Sequence, residues 1–198
     1  MCNYYSHIME FNGKLMAIIV VVIVLVSVLG FGLWWMLTYN KMVNESEQID
    51  SQWAQVTNAY QRKFDLIPQL MNITESYLHW EANTYANITA LRMEWANALA
   101  AGDEQGAINA SSKLDAQAMT IIVTVENYPG LQGVVVVDNL MYEVTGTENR
   151  IATERMYYND YVREYNSHIK RFPASWVADS GDFESRRYYN SENAPPAP

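Results

Sequence analysis

A single cysteine, Cys2, stands in the 198 residues, so no disulfide can form within the chain and zinc ligation by paired cysteines is excluded. Basic residues are outnumbered, 13 Lys and Arg against 22 Asp and Glu, for a net charge of -9. A chain this acidic lacks the basic face that broad nucleic-acid binding needs, and no nucleic-acid partner is expected. The three histidines, His7, His79 and His168, are scattered, and only His79 has a carboxylate within two residues, at Glu81. No H-x-x-x-H or E-x-x-H spacing occurs for a di-metal helical site, and no Gly-rich phosphate loop is present. Neither a metal nor a cofactor is expected, and no nucleophile–base pair is visible for catalysis.

What the chain has instead is one long apolar run. Residues 15 to 37, "LMAIIVVVIVLVSVLGFGLWWML", carry no charge. At the α-helical rise they span roughly 34 Å, enough to cross a bilayer. Trp34, Trp35 and Tyr39 suit an interfacial aromatic belt at one end. A cleaved signal peptide fits less well, because the run is longer than an h-region and no small-x-small site follows it. The reading is a retained, single-pass anchor over 15–38, preceded by a short segment 1–14 in which Met9 is an alternative start; no lipobox-like stretch precedes Cys2, which argues against acylation there. Lys14 and Lys41 flank the span, and the sequence then turns acidic at Glu45, Glu47 and Asp50, which favours an external domain. N-x-S/T triplets at Asn44, Asn72, Asn87 and Asn109 are candidate glycosylation sites in the same direction.

Beyond the anchor the apolar pattern has helical period. Met42, Ile49, Trp53, Val56 and Tyr60 form one stripe, and no Gly or Pro separates it from the membrane run. Pro68 in "FDLIPQL" predicts a kink or break, with Asp65 as cap of the helix that resumes. A second stripe runs through Leu70, Ile73, Tyr77 and Trp80 to Ile88, Leu91 and Trp95, and stops at "AAGDEQGA". A third helix, about Ile108 to Asn127, ends at "ENYPGLQG". Val134 to Val137 has strand propensity but no strand partner elsewhere, so it is read as the start of a last helix reaching about Arg171. The expected fold class is all-α: an N-terminal transmembrane helix followed by an antiparallel bundle of about four long helices over 39–173. A polar, Pro-containing tail over 174–198, closing in "NAPPAP", is expected to be disordered.

The stretch "ERMYYNDYVREYN" (154–166) is dense in functional groups. Helical spacing puts Ile151, Arg155, Tyr158, Val162, Tyr165 and Ile169 on one stripe, so Arg155 shares the apolar side. A guanidinium there must be paired, because an isolated charge in an apolar setting costs several kcal/mol, of order ~3 or more. Asp65, Glu126 or local carbonyls are the candidate partners. The repeated Tyr158-Asn159 and Tyr165-Asn166 place each phenol on the stripe and each amide at its edge, where the amides can bond backbone freed by Pro68 or a helix end. The cluster Asp65, Glu126, Arg155, Tyr158, Asn159, Tyr165 and Asn166 is read as a structural polar clasp and not as a catalytic set.

In order along the chain, "YNKMVN", "FDLIPQL", "ENYPGLQG", "ENRIATERMYYNDYVREYN" and "RFPASWVA" together resemble the LemA family of membrane-anchored helical proteins, over about residues 39 to 183. The resemblance implies an N-terminal membrane helix and long antiparallel helices, and carries no catalytic residues over. The family's basic residue two before the Asp of D-L-I-P is matched by Lys63, with Arg62 before it. Where the family continues its Y-P-x-L motif with a small and then a polar residue, this chain has Gly133 and four valines. The function expected is a membrane-anchored, non-enzymatic scaffold acting through protein contacts, as a homo-oligomer or with another membrane protein. The alternative is a transmembrane sensor or adaptor signalling to a partner.

Overall fold

The absence of any breaker between the apolar run and the stripe that follows has a direct consequence in the computed structural model. Its first helix, α1, extends over Cys2–Leu78. The backbone is described for residues 2–189 and side chains for residues 15–189. The readings for Cys2 and Met9 fall outside the described side chains, and "NAPPAP" outside the described residues. Four further helices follow: α2 (Ala82–Ala100), α3 (Glu104–Glu126), α4 (Val135–Lys170) and α5 (Ala174–Ser180), with a single 3₁₀ turn at Pro129–Leu131. Among the described residues no strand occurs, and the fold is all-α.

Pro68 does not end α1, so of the expected kink or break the break does not occur. Proline removes one backbone donor and crowds the preceding turn, a cost of about 3 kcal/mol in a helix interior. Here Phe64, Leu66, Ile67, Leu70 and Met71 are all buried on both sides of it, so packing holds the helix through the defect. Asp65 is therefore mid-helix and caps nothing. The chain breaks instead at His79, which adopts φ 45, the left-handed conformation that closes many helices. The Trp80 indole then folds back to donate to the Thr74 hydroxyl at 3.0 Å. The stripe read as continuous from Leu70 to Trp95 is thus shared between α1 and α2.

Local chemistry sets the other turns. Asp103 caps α3 by accepting the Gly106 amide at 2.9 Å. A Cβ at Gly106 would fall 2.3 Å from the Asp103 carboxylate, so any other residue there would displace the capping side chain from its present position. Gly133, at φ +78, makes the turn into α4. Of the valines that follow, Val137 is buried while Val135 and Val136 are exposed, the one-sided pattern of a helix.

The chain forms two compact units. One comprises the residues up to Ser46 with Tyr165–Ser185; the other comprises Glu47–Glu164 with the residues from Arg186 on. In the second, α1 runs antiparallel to α4, as Gln52–Glu154, Lys63–Glu148 and Arg62–Glu143 pair in opposite order. It is also antiparallel to α2, through Phe64–Trp95 and Glu75–Tyr85, and α2 packs on α3. The core of this bundle is Ile49, Val56, Tyr60, Phe64, Leu114, Ile121 and Tyr158, all at most 2% exposed.

In the first unit the described side chains of residues 15–33 are all exposed, and α1 is long and apolar enough there to cross a membrane. Residues 174–189, expected as part of a disordered tail, are ordered. Ala174, Val177 and Ala178 bury small side chains on α5, and Tyr189 is 3% exposed. One buried aromatic suffices to pin a short segment whose overall composition is polar.

Candidate functional site

The stripe spacing that puts Arg155 among apolar residues brings it to the centre of the second unit, with its side chain 20% exposed. Its partner is Asp115 of α3, whose Oδ2 lies 2.5 Å from the Arg155 Nη2. This corrects the expected pairing: Asp65 instead accepts from Arg92 at 2.7 Å and from Gln61, and Glu126 is exposed at the end of α3. Asp115 also accepts from the Tyr60 hydroxyl at 2.9 Å and from Lys63 Nζ at 2.6 Å. Lys63, with a side chain only 3% exposed, reaches Glu148 Oε1 at 2.5 Å as well. Two cations and two carboxylates from α1, α3 and α4 thus neutralise one another.

Aromatic rings close the site. The Arg155 guanidinium sits 5.1 Å from the Tyr60 ring centre and 4.4 Å from that of Tyr189, within cation–π range of both. Tyr60 and Tyr189 are nearly parallel, at 12°, and Trp53 contacts both Tyr158 and Tyr189. The Tyr189 hydroxyl lies 2.9 Å from the buried Ser111 hydroxyl. Asn159 clamps this segment from α4: its Oδ1 accepts the Tyr189 amide at 2.8 Å, and its Nδ2 donates to the Tyr189 carbonyl at 3.4 Å. The amide therefore serves the backbone of the C-terminal segment, not backbone freed by Pro68. Tyr158, fully buried, donates to the Arg187 carbonyl at 3.2 Å.

The structure brings Arg155, Tyr158 and Asn159 together, and leaves Asp65, Glu126, Tyr165 and Asn166 out. Tyr165 and Asn166 are buried in the other unit. There, His168 Nδ1 meets Glu45 Oε2 at 2.6 Å, and Lys41 approaches the same carboxylate at 3.6 Å. Lys63 was missed as a buried member, although it continues the seven-residue step from Val56, a signal that could have found it. Asp115 flanks the α3 stripe one residue after Leu114, a weaker signal. Tyr189 had none, being in a segment without periodicity.

Burial pushes the Asp115 carboxyl above its ordinary range, and Lys63 only partly reverses this. Burial also raises Glu104, and burial followed by the Glu104 charge drives the Tyr158 phenol well above the usual tyrosine range. A phenol held so high is a poor proton donor or acceptor near neutrality. Lys63, Asp115, Glu148 and Arg155 each meet a partner of opposite sign. Among the described residues no group of three or more His, Cys, Asp or Glu is placed to hold a metal ion. The four sequon asparagines, Asn44, Asn72, Asn87 and Asn109, are all exposed and all lie on helices.

Comparison with known proteins points the same way as the motifs. The LemA family model matches residues 52–198. Two magnetosome proteins of Paramagnetospirillum magneticum (strain ATCC 700264 / AMB-1), MamQ 2 and MamQ 1, are each 24% identical over 200 residues, covering 89% of this chain and 74% of theirs. The matched stretch takes in α2 to α5, most of α1 beyond the apolar run, and the whole charge network, and the chain belongs to the LemA family, as a membrane-associated all-α protein.

Proposed function

We propose that this protein is a membrane-anchored, non-enzymatic scaffold that acts through protein–protein contacts and self-assembles. Its partners are the lipid bilayer and either further copies of itself or another membrane protein. One observation carries the reading: one charge network is satisfied in the interior, while α4 leaves a set of aromatic and sulfur-containing side chains exposed. Lys63, Asp115, Glu148 and Arg155 satisfy one another, whereas α4 presents Tyr142, Met156, Tyr157 and Tyr161 at 82%, 52%, 48% and 38% exposure. Tyr157 and Tyr161 lie one turn apart on a shared face. Tyrosine and methionine are enriched in protein interfaces, while catalysis needs polar groups open to substrate. Within the span, Ser27, Gly30 and Gly32 support close helix approach, since nothing lies within 4 Å of a Cβ at either glycine.

Crosslinking in native membranes, followed by imaging of the solubilised protein, tests the reading. The expected result is a higher-order assembly that Tyr157→Asp with Tyr161→Asp disperses while helical content is kept. A strictly monomeric protein that captures no partner would rule it out. The domain is proposed to lie on the external side, supported by the acidic turn after Lys41 and the exposed sequon asparagines. Protease added to sealed cells should then degrade it, and full protection would reverse the orientation. The adaptor alternative differs in one consequence. Substitutions at residues 39–43 would abolish function with assembly and thermal stability unchanged.

A further inference from the structure

In the unit that holds the membrane-crossing run, α5 is packed in an inverted order. Its small residues Ala174, Val177 and Ala178 face inward, while Trp176 is 54% exposed. Phe172, just before the helix, is 73% exposed, and the two rings meet edge to face with centres 5.0 Å apart. A helix facing water alone would bury its largest apolar side chains first, and a paired exposed Phe and Trp marks a surface that something covers.

Position along α1 identifies the cover. Gly181, at the end of α5, lies so close to Tyr39 that a Cβ there would be 3.0 Å from the Tyr39 ring, and Phe183 meets that ring at 5.2 Å. On the α4 side, His168 bonds Glu45. Tyr39 is two residues and Glu45 eight residues past Leu37, the end of the uncharged run, hence about 3 Å and about 12 Å along the helix axis. The α4–α5 corner is thereby tied to the stretch of α1 just past the hydrocarbon boundary, where Trp and Tyr collect at a bilayer surface. Lys170 and Arg171, both exposed, immediately precede Phe172. Basic residues beside exposed aromatics are the composition of elements that lie in the headgroup layer.

We propose that Phe172 and Trp176 form a second membrane contact, seated at the headgroup–acyl boundary of the bilayer that α1 crosses, with Lys170 and Arg171 reaching lipid phosphates. This contact would fix the orientation of the unit to the membrane plane, which a single helix leaves free to tilt.

The test uses the full chain carrying Cys2→Ser with Phe172→Cys or Trp176→Cys, nitroxide-labelled and reconstituted in vesicles of phosphatidylcholine and phosphatidylglycerol. The readout is label relaxation by oxygen, which partitions into lipid, against relaxation by a water-soluble nickel chelate. The expected oxygen-to-nickel ratio is several-fold above that of a label at exposed Ala152→Cys, and independent of protein-to-lipid ratio. A ratio equal to the Ala152 reference overturns the proposal in favour of water. Low accessibility to both reagents that rises on lipid dilution overturns it in favour of a second copy of the chain. Should a labelled variant lose helicity, unlabelled protein gives an independent reading. Phosphatidylcholine brominated near the headgroup should quench a component of fluorescence that Trp176→Phe removes, and an unchanged quenched fraction refutes the contact.

Discussion

Arg155 of α4 and Asp115 of α3, forty residues apart in sequence, meet at 2.5 Å, with the guanidinium against the rings of Tyr60 and Tyr189. Removing one partner leaves the other charge poorly compensated, which costs about 3–5 kcal/mol for fully buried pairs. Because Arg155 is part-exposed and Lys63 still faces Asp115, Arg155→Met should cost less, about 1–3 kcal/mol. Adding Asp115→Leu should restore most of the loss. Thermal unfolding in detergent, followed by helical ellipticity, measures both. Asp115→Leu alone completes the cycle, and a double-variant loss equal to the sum of the two single losses would mean the pair is not coupled.

Lys63 should matter more. Its side chain is 3% exposed and serves two carboxylates, so Lys63→Met leaves Glu148 without its buried partner and Asp115 with one cation fewer. The expected cost is about 3–5 kcal/mol, larger than for Arg155→Met in the same unfolding assay. The reverse ranking would place the centre of the network at the guanidinium.

Tyr189 makes the C-terminal segment part of the bundle. Tyr189→Ala removes a ring stacked on Tyr60 and beneath Arg155, and should cost about 3–5 kcal/mol. Tyr189→Phe, losing only the hydroxyl contacts to Ser111 and Arg155, should cost about 1 kcal/mol. Chains ending at residue 185 should be destabilised at least as much as Tyr189→Ala. A truncated chain with unchanged melting would show the segment to be dispensable.

Glu104 gives a pH signature. Burial raises its carboxyl above the ordinary value, against a smaller opposite effect of the Tyr158 hydroxyl. The folded chain then holds this proton more tightly than the unfolded chain. Between the ordinary carboxylate value, roughly 4, and the raised one, stability from this group grows as pH falls and is lost as pH rises. Glu104→Gln should therefore be more stable than the parent at neutral pH, with the difference shrinking on acidification. Melting curves across that range check the sign, and a difference that widens toward acid contradicts it.

Pro68 lies in an unbroken helix, so Pro68→Ala should stabilise by about 1–3 kcal/mol, the interior cost of proline less the entropy it removes from the unfolded chain. Denaturant midpoints would show it. A loss of stability would mean that neighbouring side chains are shaped around the ring.

Periodicity carried most of the fold, because each helix buries one stripe and a stripe is a property of spacing alone. Met42 to Tyr60 and Ile151 to Ile169 are buried as spaced, apart from part-exposed Trp53 and Arg155. It could not reveal the break at His79, since "YLHWEA" holds no Gly or Pro and the stripe continues across it.

What the sequence alone determined is the class of the protein: an uncharged run long enough to cross a bilayer, helices with one apolar side, and an arginine on that side that required a counter-charge. Desolvation makes that requirement independent of where the partner lies in the chain. Which carboxylate answers it was a tertiary matter. Asp65 and Glu126 were equally good by charge, but helix packing turns one toward Arg92 and leaves the other in solvent, and places Asp115 against Arg155. Charge pairing acts over a few ångströms of space, and only the packed helices convert forty residues of sequence into that distance.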